Sequence, residues 1–88
     1  MEYFDKLLKL YGTCKEKHSD AVVLFRGNGF YHAIKEDAVA VSKVTAITLN
    51  RQEYANEKIF TCSFPFQKLD EFLPKIIRSG YRVCLCDS

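Results

Sequence analysis

Ala21-Val22-Val23-Leu24-Phe25 is a continuous apolar run rich in β-forming side chains, and Gly27-Asn28-Gly29 cuts it off two residues later. A strand that faces water on one side alternates apolar and polar positions, whereas an unbroken run such as this one belongs to a strand covered on both faces. Gly27-Asn28-Gly29 supplies the backbone freedom a tight turn demands, and Phe30-Tyr31-His32-Ala33-Ile34 then resumes in β-like residues. The expectation is a β-hairpin whose first strand lies inside a sheet.

The segments on either side read as the cover. Tyr3, Leu7, Leu10 and Cys14, with Phe4, Leu8 and Tyr11 beside them, form a stripe of period 3.6, so residues 3–14 are expected to be a helix packed on the core. Lys6, Lys9, Lys15 and Lys17 fall off the stripe and read as a solvated face. Residues 36–44 are expected to form a second helix, with Ile34, Ala38 and Val41 on one side and the acids Glu36 and Asp37 in its first turn, where the helix dipole and capping favour them.

Residues 67–79 form the clearest helical pattern. Leu69, Phe72, Leu73, Ile76 and Ile77 make one face, the acids Asp70 and Glu71 come early, Lys75 and Arg78 come late, and Gly80 stands ready as a C-terminal cap. Pro74 conflicts with this pattern, because a proline inside a helix removes a hydrogen bond and costs about 3 kcal/mol. A kink or a late start is expected there. Thr45–Leu49 alternates like a strand, 50–58 is polar and reads as a loop or hairpin tip, Ile59–Cys62 reads as the returning strand, and Arg82–Cys86 as a closing strand. The order helix, hairpin, helix, strand, strand, helix, strand gives an α/β fold class of the α+β type, a mixed β-sheet flanked by helices, in a single domain over residues 1–88.

Composition narrows the function classes. The 88 residues are 48% apolar, which is enough for one core. No run of eighteen apolar residues offers a membrane span, and Met1-Glu2-Tyr3-Phe4-Asp5-Lys6 lacks the order of a signal peptide. A cytoplasmic protein is therefore expected. In that compartment Cys14, Cys62, Cys84 and Cys86 are expected as reduced thiols, small buried hydrophobes in their ordinary role. The net charge of +2 and a pI near 8.4 fall short of the pI above about 9 typical of electrostatic nucleic-acid binders. Charge permits nucleic acid without pointing to it.

Catalytic and metal patterns are thin. Cys84-x-Cys86 would turn both thiols to one face of a strand, but structural zinc sites need four ligands, usually with C-x₂₋₄-C spacing. Cys14 and Cys62 lie in apolar contexts. No metal site and no cofactor are expected. His18 reads as a solvated turn residue, and neither it nor His32 has a nucleophile paired with it in sequence. Gly27-x-Gly29 joins two strands, not a strand and a helix, so it is no phosphate loop. No enzyme is expected. What remains is the hairpin turn, with Phe30 directly after two glycines: either a core aromatic entering a strand, or a side chain presented at a place where backbone can approach a partner closely.

Several separated segments together resemble the first domain of the DNA mismatch-recognition proteins of the MutS family. Residues 17–31, Lys-His-Ser-Asp-Ala-Val-Val-Leu-Phe-Arg-Gly-Asn-Gly-Phe-Tyr, are similar to the family's His-Pro-acid turn, apolar strand and Gly-Asp-Phe-Tyr-Glu. Glu36-Asp37-Ala38 resembles its Asp-Asp-Ala helix start, Ile47-Thr48-Leu49 its Ile-Ser/Thr-Leu, and Phe64-Pro65-Phe66-Gln67 its Val/Ile-Pro-Tyr-His. Leu73 to Asp87 resembles Leu-x-Lys-Leu-x-x-x-Gly-x-x-Val-Ala-Ile-Cys-Glu. The likeness covers about residues 17–87.

The resemblance implies a MutS domain I fold and a duplex-DNA partner, bound weakly. In the family the Phe of Phe-x-Glu wedges into the minor groove and stacks on a mispaired base, and the Glu hydrogen-bonds that base. Carried over, Phe30 is the wedge. A wedge costs a few kcal/mol of unstacking, least where pairing is already faulty, and stacking returns about 1–3 kcal/mol. His32 stands at the Glu position and Asn28 at the Asp position, so a carboxylate acceptor is missing. The expected interface comprises Phe30, Tyr31, His32, Arg26 and Asn28, with Lys35 and Arg51 as further backbone contacts. The implied function is a module that probes duplex DNA with an aromatic wedge, with mismatch specificity not carried over. The alternative is a protein-interaction module that kept the fold and lost the DNA contact, using Phe30 and Tyr31 or the region of Phe64 and Phe66. The family's connector, lever, clamp and ATPase domains have no counterpart in these 88 residues, so the expectation is either an excised fragment or a free-standing relative, with a protein partner as a source of the missing domains. The His32 change favours the free-standing relative.

Overall fold

A computed structural model describes the backbone of residues 2–87 and the side chains of residues 4–87. The elements run α1 (Glu2–Lys17), β1 (Ala21–Gly27), β2 (Phe30–Ile34), α2 (Lys35–Thr45), β3 (Asn50–Tyr54), β4 (Glu57–Pro65), a 3₁₀ turn (Phe66–Lys68), α3 (Leu69–Arg78) and β5 (Arg82–Asp87). The strands form one mixed sheet in the order β3-β4-β2-β1-β5. β1 pairs antiparallel with β2 and parallel with β5. The expected α+β fold with a mixed sheet flanked by helices is the one found.

Helices cover both faces, which accounts for the unbroken apolar run of β1. Val22 and Leu24 point into a core with Tyr31, Ala33, Cys62 and Phe64 of the sheet and with Ala38, Val41, Phe72 and Ile76 of α2 and α3. Val23 and Phe25 point the other way, into a core with Ile34, Ile59 and the inner line of α1, Phe4, Leu7 and Tyr11. The stripe of α1 thus packs as its period requires, although the side chain of Tyr3 lies outside the described residues. Among the described residues, no helix is long and apolar enough to cross a membrane.

Two expectations change. Thr45–Leu49 is not a strand. α2 runs through Thr45, and Ala46 ends it in the left-handed region at φ 63°, its N–H bonded to the Ser42 carbonyl. Ile47 and Leu49 alternate because both dip into the α2–α3 core from an extended connection, and no strand among the described residues pairs with them. The strand is instead Asn50–Tyr54, the polar stretch expected to be a loop. It lies at the sheet edge and is largely exposed, so it carries no apolar signature. The hairpin tip narrows to Ala55-Asn56, both at positive φ, with Tyr54 paired to Glu57.

The third helix starts late, at Leu69 after the 3₁₀ turn, and continues through Pro74. It ends as expected at Gly80. The N–H groups of Gly80 and Tyr81 bond the carbonyls of Ile77 and Ile76, and Gly80 sits at φ 96°, the paired bonds of a Schellman cap.

Asp37 and Lys15 also depart from their surface readings. Among the described residues, Asp37 is the one charged side chain that is buried. Its carboxylate accepts the Val23 N–H at 2.9 Å and the Lys15 ammonium at 2.9 Å. Lys15 also donates to the Ala21 carbonyl. The β1–β2 ladder is closed from Phe25 to Gly27, and where β2 turns away into α2 the Asp37 carboxylate takes the amide that β1 presents next. It joins α1, β1 and α2 and caps no helix.

Candidate nucleic-acid interface

The β1–β2 turn consists of Asn28 at φ 53° and Gly29 at φ 82°, between the paired residues Gly27 and Phe30. Positive φ at both central positions marks a type I′ turn, whose twist matches the strands it joins. The turn is also tied from the side. The Phe66 N–H donates to the Gly29 carbonyl at 3.0 Å, and Phe30 pairs with Pro65 of β4. The hairpin tip is therefore clamped between β4 and the 3₁₀ turn, and residues 65–68 form its shoulder. The sequence signal for this shoulder is Phe64-Pro65-Phe66-Gln67.

Alternation along β2 sorts the expected interface residues by face. Phe30 is 42% exposed, and its ring lies 6.3 Å from that of His32, two residues on and on the same face. Tyr31 points the opposite way and is 7% exposed, packed between Phe64 at 5.6 Å and Phe66 at 5.0 Å. Tyr31 is thus core and does not join Phe30 and His32. Arg26, paired with Tyr31, lies over the Phe66 ring at 5.1 Å, at the tip but on the Tyr31 side. Asn28 is exposed at the apex.

Lys35 and Arg51 are not brought to the tip. Lys35 begins α2 at the far end of β2, over the Tyr11 ring at 5.5 Å. Five residues of strand separate it from Phe30, a span of roughly 16 Å. Arg51 is on edge strand β3, over the Phe60 ring at 5.7 Å. Phe64 is buried and Phe66 half-buried.

Burial holds the His32 imidazole below the ordinary histidine value, partly offset by a hydrogen bond to the Gly27 backbone. At neutral pH it is uncharged, one ring nitrogen a donor and the other an acceptor. A base whose folded pKa is depressed gives stability that is complete above its unfolded value, about 6.5, and is lost as pH falls toward the folded value. Thermal melts at pH 7.5 and 5 are therefore expected to show a larger loss for wild type than for His32→Gln. Equal losses would remove this account of His32.

Burial also pushes the Cys62 thiol up to about 11 and that of Cys86 to about 12, away from the thiolate a nucleophile needs.

The family model described as MutS domain I matches residues 5–88. The DNA mismatch repair protein MutS of Porphyromonas gingivalis is 42% identical over 82 residues, which is 92% of this chain and 9% of that protein. MutS of Phocaeicola vulgatus is 40% identical over 82 residues, with the same coverage. MutS of Thermodesulfovibrio yellowstonii is 38% identical over 87 residues, 98% of this chain and 10% of that protein. The chain thus spans about a tenth of the length of the curated relatives it matches. With a sheet clamped at a Gly-Asn-Gly-Phe hairpin and a family model matched along nearly its whole length, the chain belongs to the MutS domain I family.

Proposed function

We propose that this domain binds duplex DNA weakly at the β1–β2 tip and probes it with Phe30. The observation that carries the reading is the exposure of Phe30 at the end of a clamped hairpin. A large aromatic held outside the core on a rigid turn is shaped to enter a base step, and it loses little conformational freedom in doing so. Asn28 at the apex and Arg26 behind it are the polar groups at the same end. Neutral His32 gives its N–H to the Gly27 backbone and brings an acceptor nitrogen beside the wedge in place of a carboxylate.

The placement of Lys35 and Arg51 lowers the electrostatic share. Few phosphates are neutralised at the tip, so the Kd belongs near the weak end of the non-specific range of about 10⁻⁴–10⁻⁶ M, with a shallow salt dependence. The domain acts by binding and not by catalysis, in the cytoplasm and at the nucleoid when bound.

Titration of the 88-residue chain with matched and mismatched duplexes at two salt concentrations tests this. Phe30→Ala is expected to weaken binding at least about fivefold, the equivalent of the lower bound for stacking on a base. Equal affinity of wild type and Phe30→Ala would sink the proposal. A preference of wild type for the mismatched duplex would show that neutral His32 suffices where the family uses a carboxylate.

A further inference from the structure

Cys14, Cys84 and Cys86 come together on the α1 face of the sheet. Cys14 is on α1, and Cys84 and Cys86 are alternate residues of β5 whose side chains share one face. The sulfurs of Cys14 and Cys86 are 2.7 Å apart, those of Cys84 and Cys86 3.8 Å, and all three lie within 4.8 Å of one another. All three residues are half-buried. Cys62 is on the other face, in the α2–α3 core.

We propose that these three thiols form a binding site for one thiophilic d¹⁰ cation, zinc(II) or copper(I). Three sulfurs at the zinc–sulfur distance of about 2.3 Å stand about 3.8 Å from one another in a tetrahedral arrangement. Cys84 and Cys86 already have that separation, and Cys14 needs to move away from Cys86 by about 1 Å, which a small side-chain rotation supplies. The ligand set is all sulfur, with no carboxylate within the cluster among the described residues. Such a set selects soft cations over magnesium or calcium. Cys84 also borders a cleft of about 240 Å³ shared with His18 and Arg82, which gives an ion a route in and solvent as a fourth ligand. As the ion binds, each ligating thiol gives its proton to solvent.

A disulfide between Cys14 and Cys86 is the competing chemistry. It leaves Cys84 without a role and needs an oxidant. The cation uses all three sulfurs and needs no oxidant. It would fasten α1 to edge strand β5. Cys86 also pairs with Phe25, and Phe25 with His32, so the site lies on one cross-strand rung with the residue next to the wedge.

The test uses the reduced 88-residue chain, with cobalt(II) as a spectroscopic probe and zinc(II) in thermal melts. One cobalt per chain is expected, with a thiolate-to-metal charge-transfer band. Cys14→Ser, Cys84→Ser and Cys86→Ser are each expected to weaken binding more than about 100-fold, the upper end of what loss of an outer-shell partner costs. Cys62→Ala is expected to leave it unchanged. Zinc at a hundredfold excess over its Kd is expected to raise the wild-type Tm by roughly 10–20 °C. If the reduced wild type shows no charge-transfer band, or the band survives replacement of any one of the three, the proposal is wrong. It is equally overturned if the reduced chain, exposed to air with zinc present, still closes a Cys14–Cys86 cross-link.

Discussion

Phe25→Ala is expected to destabilise the domain by about 3–5 kcal/mol, the range for deleting a buried aromatic ring. Phe25 is fully buried on the central strand β1 and points into the core beneath α1. Its neighbours belong to several elements, with Phe4, Leu7 and Tyr11 on α1, Ile34 at the end of β2 and Ile59 on β4. No one of them can move into the space without leaving the others, so the cavity stays largely open. A domain of this size holds only about 4–13 kcal/mol in total, and the Tm is expected to fall by roughly 15–30 °C. Urea denaturation gives the free energy directly. A loss below about 1 kcal/mol would mean that α1 does not pack as described.

Asp37→Ala is expected to cost about 2–4 kcal/mol. Two groups lose their partner at once. The Val23 N–H is left buried and unpaired, which alone costs about 1–3 kcal/mol. The Lys15 ammonium, a quarter exposed, can turn partly to water, so its share falls below the 3–5 kcal/mol of a fully buried broken pair. Asp37→Asn keeps one acceptor for Val23 and is expected to lose less. A cycle combining Lys15→Met with Asp37→Asn separates the two shares. If both single variants are as stable as wild type, the carboxylate does not hold this junction together.

These residues mark where the sequence was readable. Burial leaves a periodic trace, so β1, the stripe of α1 and Phe72 and Ile76 of α3 could be read from spacing alone, whereas Ile77, expected on the same face, is 54% exposed. β3 could not be read this way, because an edge strand held by backbone bonds needs no apolar alternation. Ile47 and Leu49 gave a false strand because period two records only which side chains turn inward, and an extended connection over a core meets that condition as well as a paired strand does. Asp37 was hidden for a different reason. An acid in a first helical turn has a sufficient local explanation, and its partners Lys15 and Val23 are distant in sequence.

The site divides the same way. The turn follows from local chemistry, since two glycines around Asn28 leave little else for the backbone to do, whereas spacing left Phe30 between core and surface and only the fold turns it outward. The inward turn of Tyr31 follows from alternation once Phe30 is placed outward. The distance of Lys35 was readable, since it follows the five residues of the expected strand, but the position of Arg51 at the sheet edge follows only from the strand order. The meeting of Cys14 with Cys84 and Cys86 likewise needs β5 to lie beside β1 and α1 to lie across them.

The parallel pairing of β1 with β5 has a kinetic corollary. Val22 finds its partner Val83 across about sixty residues of chain, and contacts of such sequence separation slow folding because the loop must close before it is rewarded. During synthesis the helix α1 and the β1–β2 hairpin emerge early, yet one flank of β1 stays open until β5 is made. In that interval the most apolar strand of the molecule presents unsatisfied amides and carbonyls, the condition under which nascent chains pair with the wrong neighbour. The vulnerable moment in the life of this domain is therefore the interval before β5 is made, and β5, one of its most exposed strands, is the one that ends it.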